Sequence, residues 1–252
     1  MDKTALLIID VQYDFLPLSG SLAVPDGQAI LPVINDLLDK NKWDWPVIVA
    51  SQDYHPKGHI SFASTHPPHK PFDPLLVRDA RGTTYQQTLW PDHCIQGTKG
   101  TEIEESVKQR LQEWGAKVRL ARKGTHMKLE AYSAFEGYIT EFQRPAEPTA
   151  EWSEAHPGDQ KLPAAGPLST YLRNHGVEKV VIVGLATDFC VLQTALSALS
   201  ASFRTLVLGP AIRGISPEDT QKALEKVKHL GGEVIDQAEE NWKPGMERWC
   251  KS

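Results

Sequence analysis

Short apolar runs alternate along this chain with longer stretches in which apolar residues recur at helical spacing. The first run, Ala5–Val11, is almost continuously apolar and contains several β-branched residues, which is typical of a strand buried on both faces. The predicted strands are Ala5–Val11, Pro46–Ser51, Lys117–Ala121, Lys179–Leu185, Arg204–Leu208 and Glu233–Ile235. The predicted helices are Ala29–Lys40, Glu102–Glu113, Gly166–His175, Thr187–Ala201 and Pro217–Leu230.

This alternation of strand and helix predicts an α/β fold. We expect a three-layer α/β/α sandwich whose central sheet is mostly parallel and has about six strands. No shift in composition marks a domain boundary, so we expect a single domain over residues 1–252. Two stretches break the alternation: Ser64–Thr101, rich in Pro, His and Thr, and Gln143–Gly166, which predicts a surface insertion.

Composition narrows the class of protein. A formal net charge of −5 argues against a general nucleic-acid binder, which needs a clear cationic face. No apolar window approaches the roughly 18–20 residues that a membrane span requires, so we expect no membrane partner. Three cysteines, Cys94, Cys190 and Cys250, provide no disulfide framework. We therefore expect an intracellular protein, cytoplasmic by default, with the nucleus or peroxisome left open.

Reactive side chains follow four of the predicted strands. Asp10 closes the first strand, Asp53 and His55 follow the second, Lys123 follows the third and Cys190 follows the fourth. The carboxyl ends of parallel strands meet along one edge of an open sheet, where sites assemble. We therefore expect these five side chains to lie close together.

Cys190 lies where a strand ends and a helix begins, which predicts a lowered thiol pKa and N–H groups able to hold an oxyanion. The alternative is an unreactive buried cysteine, the commoner case. Asp10 stands in an apolar run, where its carboxylate either takes the thiol proton or caps a neighbouring loop. Lys123 either stabilises a thiolate or faces solvent.

Potential metal ligands occur in the same part of the pattern. Asp53 and His55 lie two residues apart, His59 follows, and the long loop supplies His93. One carboxylate with two or three imidazoles suits zinc, or iron or manganese. With nine histidines in the chain, the alternative is chance proximity of solvated side chains.

Taken together, these motifs resemble the isochorismatase-like cysteine hydrolases, and within them the nicotinamidases, over nearly the whole chain. The matching blocks are ALLIIDVQYDF at 5–15, ASQDYHPKGHISFA at 50–63, WPDHCIQGT at 90–98, RKG at 122–124, YSAFEG at 132–137 and GLATDFCVLQTAL at 184–196. Segment lengths between Lys123 and Tyr132 and over 143–166 are similar to those of eukaryotic, especially fungal, members.

The resemblance implies roles for these residues. It implies a catalytic triad of Asp10, Lys123 and Cys190. It implies one divalent metal ion, Zn²⁺ or else Fe or Mn, held by Asp53, His55 and His93, with His59 as a secondary candidate. It implies a cis peptide before Ala186, an oxyanion site at the Ala186 and Cys190 N–H groups, and a flat ring held by Phe15, Trp90 and Tyr132.

The implied activity is hydrolysis of the small molecule nicotinamide to nicotinate and ammonia, through a cysteine thioester and within NAD salvage. Homo-oligomerisation is left open. Three alternatives to this activity stay open. The first is a related amidohydrolase for another small carboxamide, and the second is a non-catalytic relative that binds a ligand. The third is a metallohydrolase in which Cys190 is only structural.

Overall fold

The computed structural model describes residues 3–146, 167–239 and 241–251. Its central sheet has seven strands in the order β6-β5-β2-β1-β7-β8-β9, and β3 and β4 form a separate antiparallel hairpin. The strands are β1 (Lys3–Ile9), β2 (Ile48–Asp53), β3 (Pro74–Arg78), β4 (Thr84–Thr88), β5 (Val118–Lys123), β6 (Tyr138–Glu141), β7 (Val177–Leu185), β8 (Arg204–Arg213) and β9 (Glu233–Ile235).

Helices cover both faces of the central sheet. The α-helices are α1 (Leu31–Leu37), α2 (Glu105–Trp114), α3 (Pro167–Asn174), α4 (Leu192–Ser200), α5 (Pro217–His229) and α6 (Lys243–Lys251). Successive strand residues point to opposite faces, so Leu6 and Ile8 pack with α1, α2 and α6. Leu7 and Ile9 pack on the other face with α3, α4 and α5. These two apolar layers are why the β1 sequence is continuously hydrophobic.

The predicted α/β/α sandwich is confirmed, with three differences in its elements. The sheet has seven strands instead of about six, because a short edge strand, β6, pairs with β5 in the antiparallel direction. The aperiodic stretch Ser64–Thr101 contains the β3–β4 hairpin, whose strands are largely exposed and carry little apolar alternation. Helix α6 was also not predicted, since its sequence is mostly polar and buries only Met246 and Trp249.

The predicted insertion at 143–166 lies outside the described residues from residue 147 onward. Just before that point, the Ala146 N–H donates to Thr140 Oγ1 at 2.8 Å, which ties the chain to β6. The single-domain prediction stays a prediction. In the described parts of the chain, no helix is both long and apolar enough to cross a bilayer.

The order of strands creates a crevice between β1 and β7. The chain runs from β1 to β2, β5 and β6 on one side, and then continues with β7, β8 and β9 on the other. Such a reversal opens a ligand crevice at the carboxyl ends of the two central strands. Gly184 near the end of β7 has φ +118°, and a Cβ there would collide with the Ile9 carbonyl oxygen. Glycine therefore lets β7 pack tightly against β1 beside the crevice.

Candidate active site

Lys123 lies at the centre of the site, with its side chain completely buried at the end of β5. Its Nζ lies 2.9 Å from Asp10 Oδ2 and 3.4 Å from Cys190 Sγ, and it also donates to Asp53 Oδ1. These partners come from the ends of β1, β2 and the segment after β7. Burial alone would lower the Lys123 pKa, but Asp10 and Asp53 raise it well above its usual value. Lys123 is therefore a permanent cation that holds the acid and the thiol together.

Asp10 follows the last residue of β1 with φ +49°, so its carboxylate turns back toward β2. The Ser51 hydroxyl donates to Asp10 Oδ1 at 2.7 Å, and the Asp10 N–H donates to Ser51 Oγ at 3.1 Å. Burial raises the pKa of Asp10, an effect that Lys123 opposes. A raised carboxyl pKa makes Asp10 a better acceptor for a thiol proton than a solvent-exposed aspartate.

Cys190 lies in a five-residue π-helical turn, Thr187–Val191, between β7 and α4. The Asp188 carboxylate anchors this turn by accepting hydrogen bonds from the N–H groups of Ile215 and Ser216, at 3.1 and 2.9 Å. The peptide bond between Leu185 and Ala186 is cis, as the resemblance implies. Ala186 and Cys190 both line one cavity, so their N–H groups remain the predicted oxyanion site.

The expected lowering of the Cys190 thiol pKa was wrong. Burial raises this pKa well above its usual value, and the carboxylates of Asp10 and Asp53 add to the effect while Lys123 opposes it. A sequence pattern for a helix start contains neither the burial nor the two neighbouring carboxylates. The resting thiol is therefore protonated, and its proton has to be removed during the reaction.

Asp53, His55 and His93 bring three ligand atoms within 4.8 Å of one another. Asp53 Oδ2 lies 3.6 Å from His55 Nε2 and 3.8 Å from His93 Nε2. Although burial opposes it, Lys123 and His55 lower the pKa of Asp53 well below its usual value. The carboxylate is thus ionised, with Oδ1 on Lys123 and Oδ2 facing the two imidazoles.

The hydrogen bonds of the two imidazoles identify their tautomers. His55 Nδ1 lies 2.9 Å from the Gly124 carbonyl oxygen, and His93 Nδ1 lies 2.8 Å from the Pro91 carbonyl oxygen. A carbonyl oxygen only accepts, so each neutral ring carries its proton on Nδ1. In the neutral rings both Nε2 lone pairs face the Asp53 carboxylate, an arrangement that repels unless a metal ion or a proton lies between them, and Asp53 accordingly raises the pKa of His55 despite burial. The donor set therefore fits a divalent ion, with backbone oxygens orienting both imidazoles.

His59, the secondary candidate, has other partners. Its Nδ1 lies 2.8 Å from Ser61 Oγ and its Nε2 lies 3.0 Å from the Leu129 carbonyl oxygen. Burial lowers the His59 pKa to about 3, so the ring is neutral. It also stacks on His55 with 4.2 Å between ring centroids. His59, His55 and Glu130 form a second group of potential ligand atoms within 4.8 Å of one another.

The predicted ring-binding residues Phe15, Trp90 and Tyr132 all line the cavity that contains Cys190. The Trp90 indole N–H donates to the Tyr132 hydroxyl at 3.1 Å, which fixes the two rings relative to each other. The cavity is small, and its wall is mostly apolar and aromatic. A small aromatic ligand suits this lining.

Sequence reasoning did not identify several residues of this cavity. They are Leu22, Val24, Glu130, Phe189 and Ile215. Phe189 packs edge-on against Trp90 with centroids 4.8 Å apart, and its position directly before Cys190 was the available signal. The others lie outside regular elements, and no periodicity in the sequence marks them.

The isochorismatase domain model matches residues 4–120 and 164–239 of this chain. The chain therefore belongs to the isochorismatase family. It is a hydrolase that acts on amide bonds, and the proteins it is similar to include several nicotinamidases. It is 31% identical to the nicotinamidase of Saccharomyces cerevisiae, over 92% of this chain and 98% of that protein. It is 30% identical to the nicotinamidase of Escherichia coli, over 95% and 97%.

Solved structures agree with this assignment. The crystal structure of the yeast nicotinamidase bound to the inhibitor nicotinaldehyde matches with a TM-score of 0.76 at 29% identity, over 92% of this chain and 99% of that one. The pyrazinamidase of Pyrococcus horikoshii in complex with zinc matches with a TM-score of 0.66 at 32% identity, over 93% and 99%. The family and fold predicted from the sequence motifs are thereby confirmed.

Proposed function

We propose that this protein hydrolyses nicotinamide to nicotinate and ammonia through a thioester on Cys190, as a step of NAD salvage. The observation that carries the proposal is the position of the Lys123 ammonium, 2.9 Å from Asp10 and 3.4 Å from the Cys190 sulfur. The three groups meet beside a small aromatic-lined cavity. The names of the yeast and E. coli relatives support the substrate.

In the first half of the reaction, Asp10 accepts the Cys190 thiol proton and Lys123 stabilises the resulting charges. The thiolate attacks the carboxamide carbon, and the N–H groups of Ala186 and Cys190 hold the oxyanion. The tetrahedral intermediate then collapses, the carbon–nitrogen bond breaks, and Asp10 gives its proton to the leaving ammonia. The products of this half are ammonia and the acyl thioester, with Asp10 again ionised.

In the second half, water attacks the thioester carbon and loses one proton to Asp10. The carbon–sulfur bond breaks as the new carbon–oxygen bond is completed. The leaving Cys190 sulfur regains a proton from Asp10, and nicotinic acid ionises to nicotinate. Lys123 remains protonated throughout, because two carboxylates hold its pKa well above its usual value.

Asp53, His55 and His93 would hold a divalent cation beside this chemistry. We propose Zn²⁺, with Fe or Mn as alternatives suited to the same donors. When bound, such an ion supplies Lewis-acid polarisation and lowers the pKa of a bound water. The zinc complex of the Pyrococcus relative supports this assignment.

The lining of the cavity supports a flat heteroaromatic carboxamide. Phe15, Trp90 and Tyr132 line it, and Phe189 adds a fourth ring. The name of the Pyrococcus relative makes pyrazinamide a second candidate substrate. A related amidohydrolase for aliphatic amides would need no such aromatic lining. Ammonia release from nicotinamide, pyrazinamide and acetamide separates these functions, and we expect acetamide to react far more slowly.

Replacement of the nucleophile tests the mechanism. We expect Cys190→Ala to lower kcat for nicotinamide by at least about a thousandfold, the scale seen when a nucleophile is removed. Cys250→Ala is the matched control, because Cys250 lies in α6 and not at the cavity. Ammonia release by Cys190→Ala at the parent rate would overturn the thioester mechanism and favour a metallohydrolase with a structural cysteine.

The role in NAD salvage and an intracellular, cytoplasmic location belong to the same proposal. Expression in a host that lacks its own nicotinamidase tests the role. We expect the parent gene to restore growth on nicotinamide as the only pyridine source, and the Cys190→Ala gene to fail. Failure of the parent gene, with the protein present and active in extracts, would separate the salvage role from the catalytic activity.

A further inference from the structure

Glu130 is a carboxylate at the cavity wall that the proposed mechanism does not use. It lines the same cavity as Asp53, His93 and Cys190. Its side chain is half-buried, and Oε1 accepts the Ala131 N–H at 2.8 Å, which fixes the orientation of the carboxylate. A carboxylate withdrawn even partly from water costs free energy unless positive charge or hydrogen bonds compensate it. Its retention beside the cavity therefore calls for a compensating partner.

Two imidazoles lie close to Glu130. A carboxylate oxygen of Glu130 lies within 4.8 Å of a ring nitrogen of His55 and of one of His59. His55 is also a member of the group formed with Asp53 and His93, so the two groups share one residue. The rings of His55 and His59 stack on each other, so Glu130 lies beside a pair of imidazoles of which one belongs to the metal-binding group. Glu130 is thus placed at the edge of that group.

The charges around the site explain why a further carboxylate is needed. One oxygen of Asp53 contacts Lys123, which also contacts Asp10, so two carboxylates already serve one ammonium. A divalent cation beside Asp53 would bring the positive charge to three against two negative charges. Uncompensated charge in a buried site is costly. The carboxylate of Glu130 would make the two signs equal, while the imidazoles and the thiol stay neutral.

We propose that Glu130 is a fourth member of the metal site, whose carboxylate balances the charge of a divalent ion held by Asp53, His55 and His93. The inference rests on the proposed metal site and extends it by one residue. Glu130 acts on the ion through its charge and through the position of its neighbours, and it does not replace Asp53. It explains why a second carboxylate, beside Asp53, lines a cavity whose other side chains are mainly apolar and aromatic.

Metal affinity of the full chain tests this role without measuring activity. The protein is stripped with a chelator, and Zn²⁺ and Mn²⁺ are titrated in competition with a chromophoric chelator of known affinity. We expect one ion per chain, and a Kd about 10- to 100-fold weaker for Glu130→Gln, the range found for residues that support metal ligands. Glu225→Gln on the exposed surface of α5 is the matched control and should bind as the parent does.

Two further variants make the outcomes decisive. Glu130→Asp keeps the charge and should keep affinity near that of the parent, which also covers the case in which Glu130→Gln fails to fold. Asp53→Asn should abolish binding. Equal Kd values for the parent, Glu130→Gln and Glu130→Asp, with loss in Asp53→Asn, would overturn the role of Glu130 and leave the metal site intact. Absence of binding by the parent would overturn both, whereas nicotinamide hydrolysis is judged by its own assay.

Discussion

The Lys123 ammonium lies 3.4 Å from the Cys190 sulfur, and both side chains are buried. Lys123 ends β5 and Cys190 follows β7, on opposite sides of β1, so only the assembled sheet brings them together. Lys123 opposes the rise in the thiol pKa that burial and the carboxylates cause. The contact therefore provides the positive charge that a forming thiolate needs in a site without bulk water.

Removal of this charge should damage both catalysis and stability. We expect Lys123→Met to lower kcat by about 10²- to 10³-fold, the range for loss of one electrostatic stabiliser. It also leaves two buried carboxylates without their cation, so we expect the free energy of unfolding to fall by about 3–5 kcal/mol. Steady-state kinetics and denaturant unfolding measure the two effects. Lys226→Met on the exposed surface of α5 is the control, and a Lys123→Met activity within tenfold of the parent would contradict the role.

The raised thiol pKa predicts how Cys190 reacts with iodoacetamide in the absence of substrate. Because burial and two carboxylates keep the thiol protonated, labelling at pH 7 should be slow. The rate should rise about tenfold per pH unit between pH 7 and 9, as the thiolate fraction grows. Peptide mapping measures the rate at Cys190 alone. A rate that is already independent of pH near 7 would mean that the resting residue is a thiolate.

Gly124 next to Lys123 should be essential for the position of His55. It has φ +62°, and a Cβ added there would collide with the His55 ring. We expect Gly124→Ala to cost about 1–2 kcal/mol from its left-handed backbone conformation. We also expect it to weaken metal binding, since the imidazole has to move. Gly231→Ala is the matched control, because Gly231 has φ +90° and open space where a Cβ would lie.

The two glycine variants distinguish the cost of the left-handed backbone conformation from the collision of a Cβ with the His55 ring. Both should lower the free energy of unfolding, which denaturant titration of the metal-free proteins measures. Only Gly124→Ala should raise the Kd for Zn²⁺. If Gly231→Ala weakens metal binding by the same factor, the effect comes from general destabilisation and the structural role assigned to Gly124 is wrong.

The buried neutral ring of His59 makes stability depend on pH. Burial lowers its folded-state pKa to about 3, whereas the unfolded chain takes up the proton near 6.5. The unfolded state therefore binds the proton first, and this contribution to stability is present above pH 6.5 and lost as pH falls toward 3. Between pH 6.5 and 5 the loss should be about 2 kcal/mol.

Denaturant unfolding of metal-free protein at several pH values tests this prediction. We expect His59→Gln to show a flatter dependence than the parent over the same range. His55, whose folded-state pKa is raised by Asp53 despite burial, contributes with the opposite sign but is common to both proteins. Parallel curves for parent and variant would show that His59 is protonated as readily in the folded state as in the unfolded one.

Much of the fold could be predicted because its central strands are buried on both faces. Runs such as Ala5–Val11 and Lys179–Leu185 have to be apolar throughout, and that pattern is visible in the sequence. The edge strand β6 and the β3–β4 hairpin escaped prediction because each buries only part of its surface. Helix α6 escaped because a few buried residues suffice to hold it.

The active site, like the fold, could be predicted from the sequence only in part. The sequence by itself determined which reactive residues end the strands, namely Asp10, Asp53, Lys123 and Cys190, because parallel strands necessarily end along one edge. Only the tertiary structure decided the electrostatics, since the Cys190 pKa depends on burial and on two carboxylates contributed by other strands. It also decided that Glu130 joins the cavity wall, because its segment has no periodic signal and is positioned by contacts with distant parts of the chain, such as the hydrogen bond between His59 and the Leu129 carbonyl oxygen.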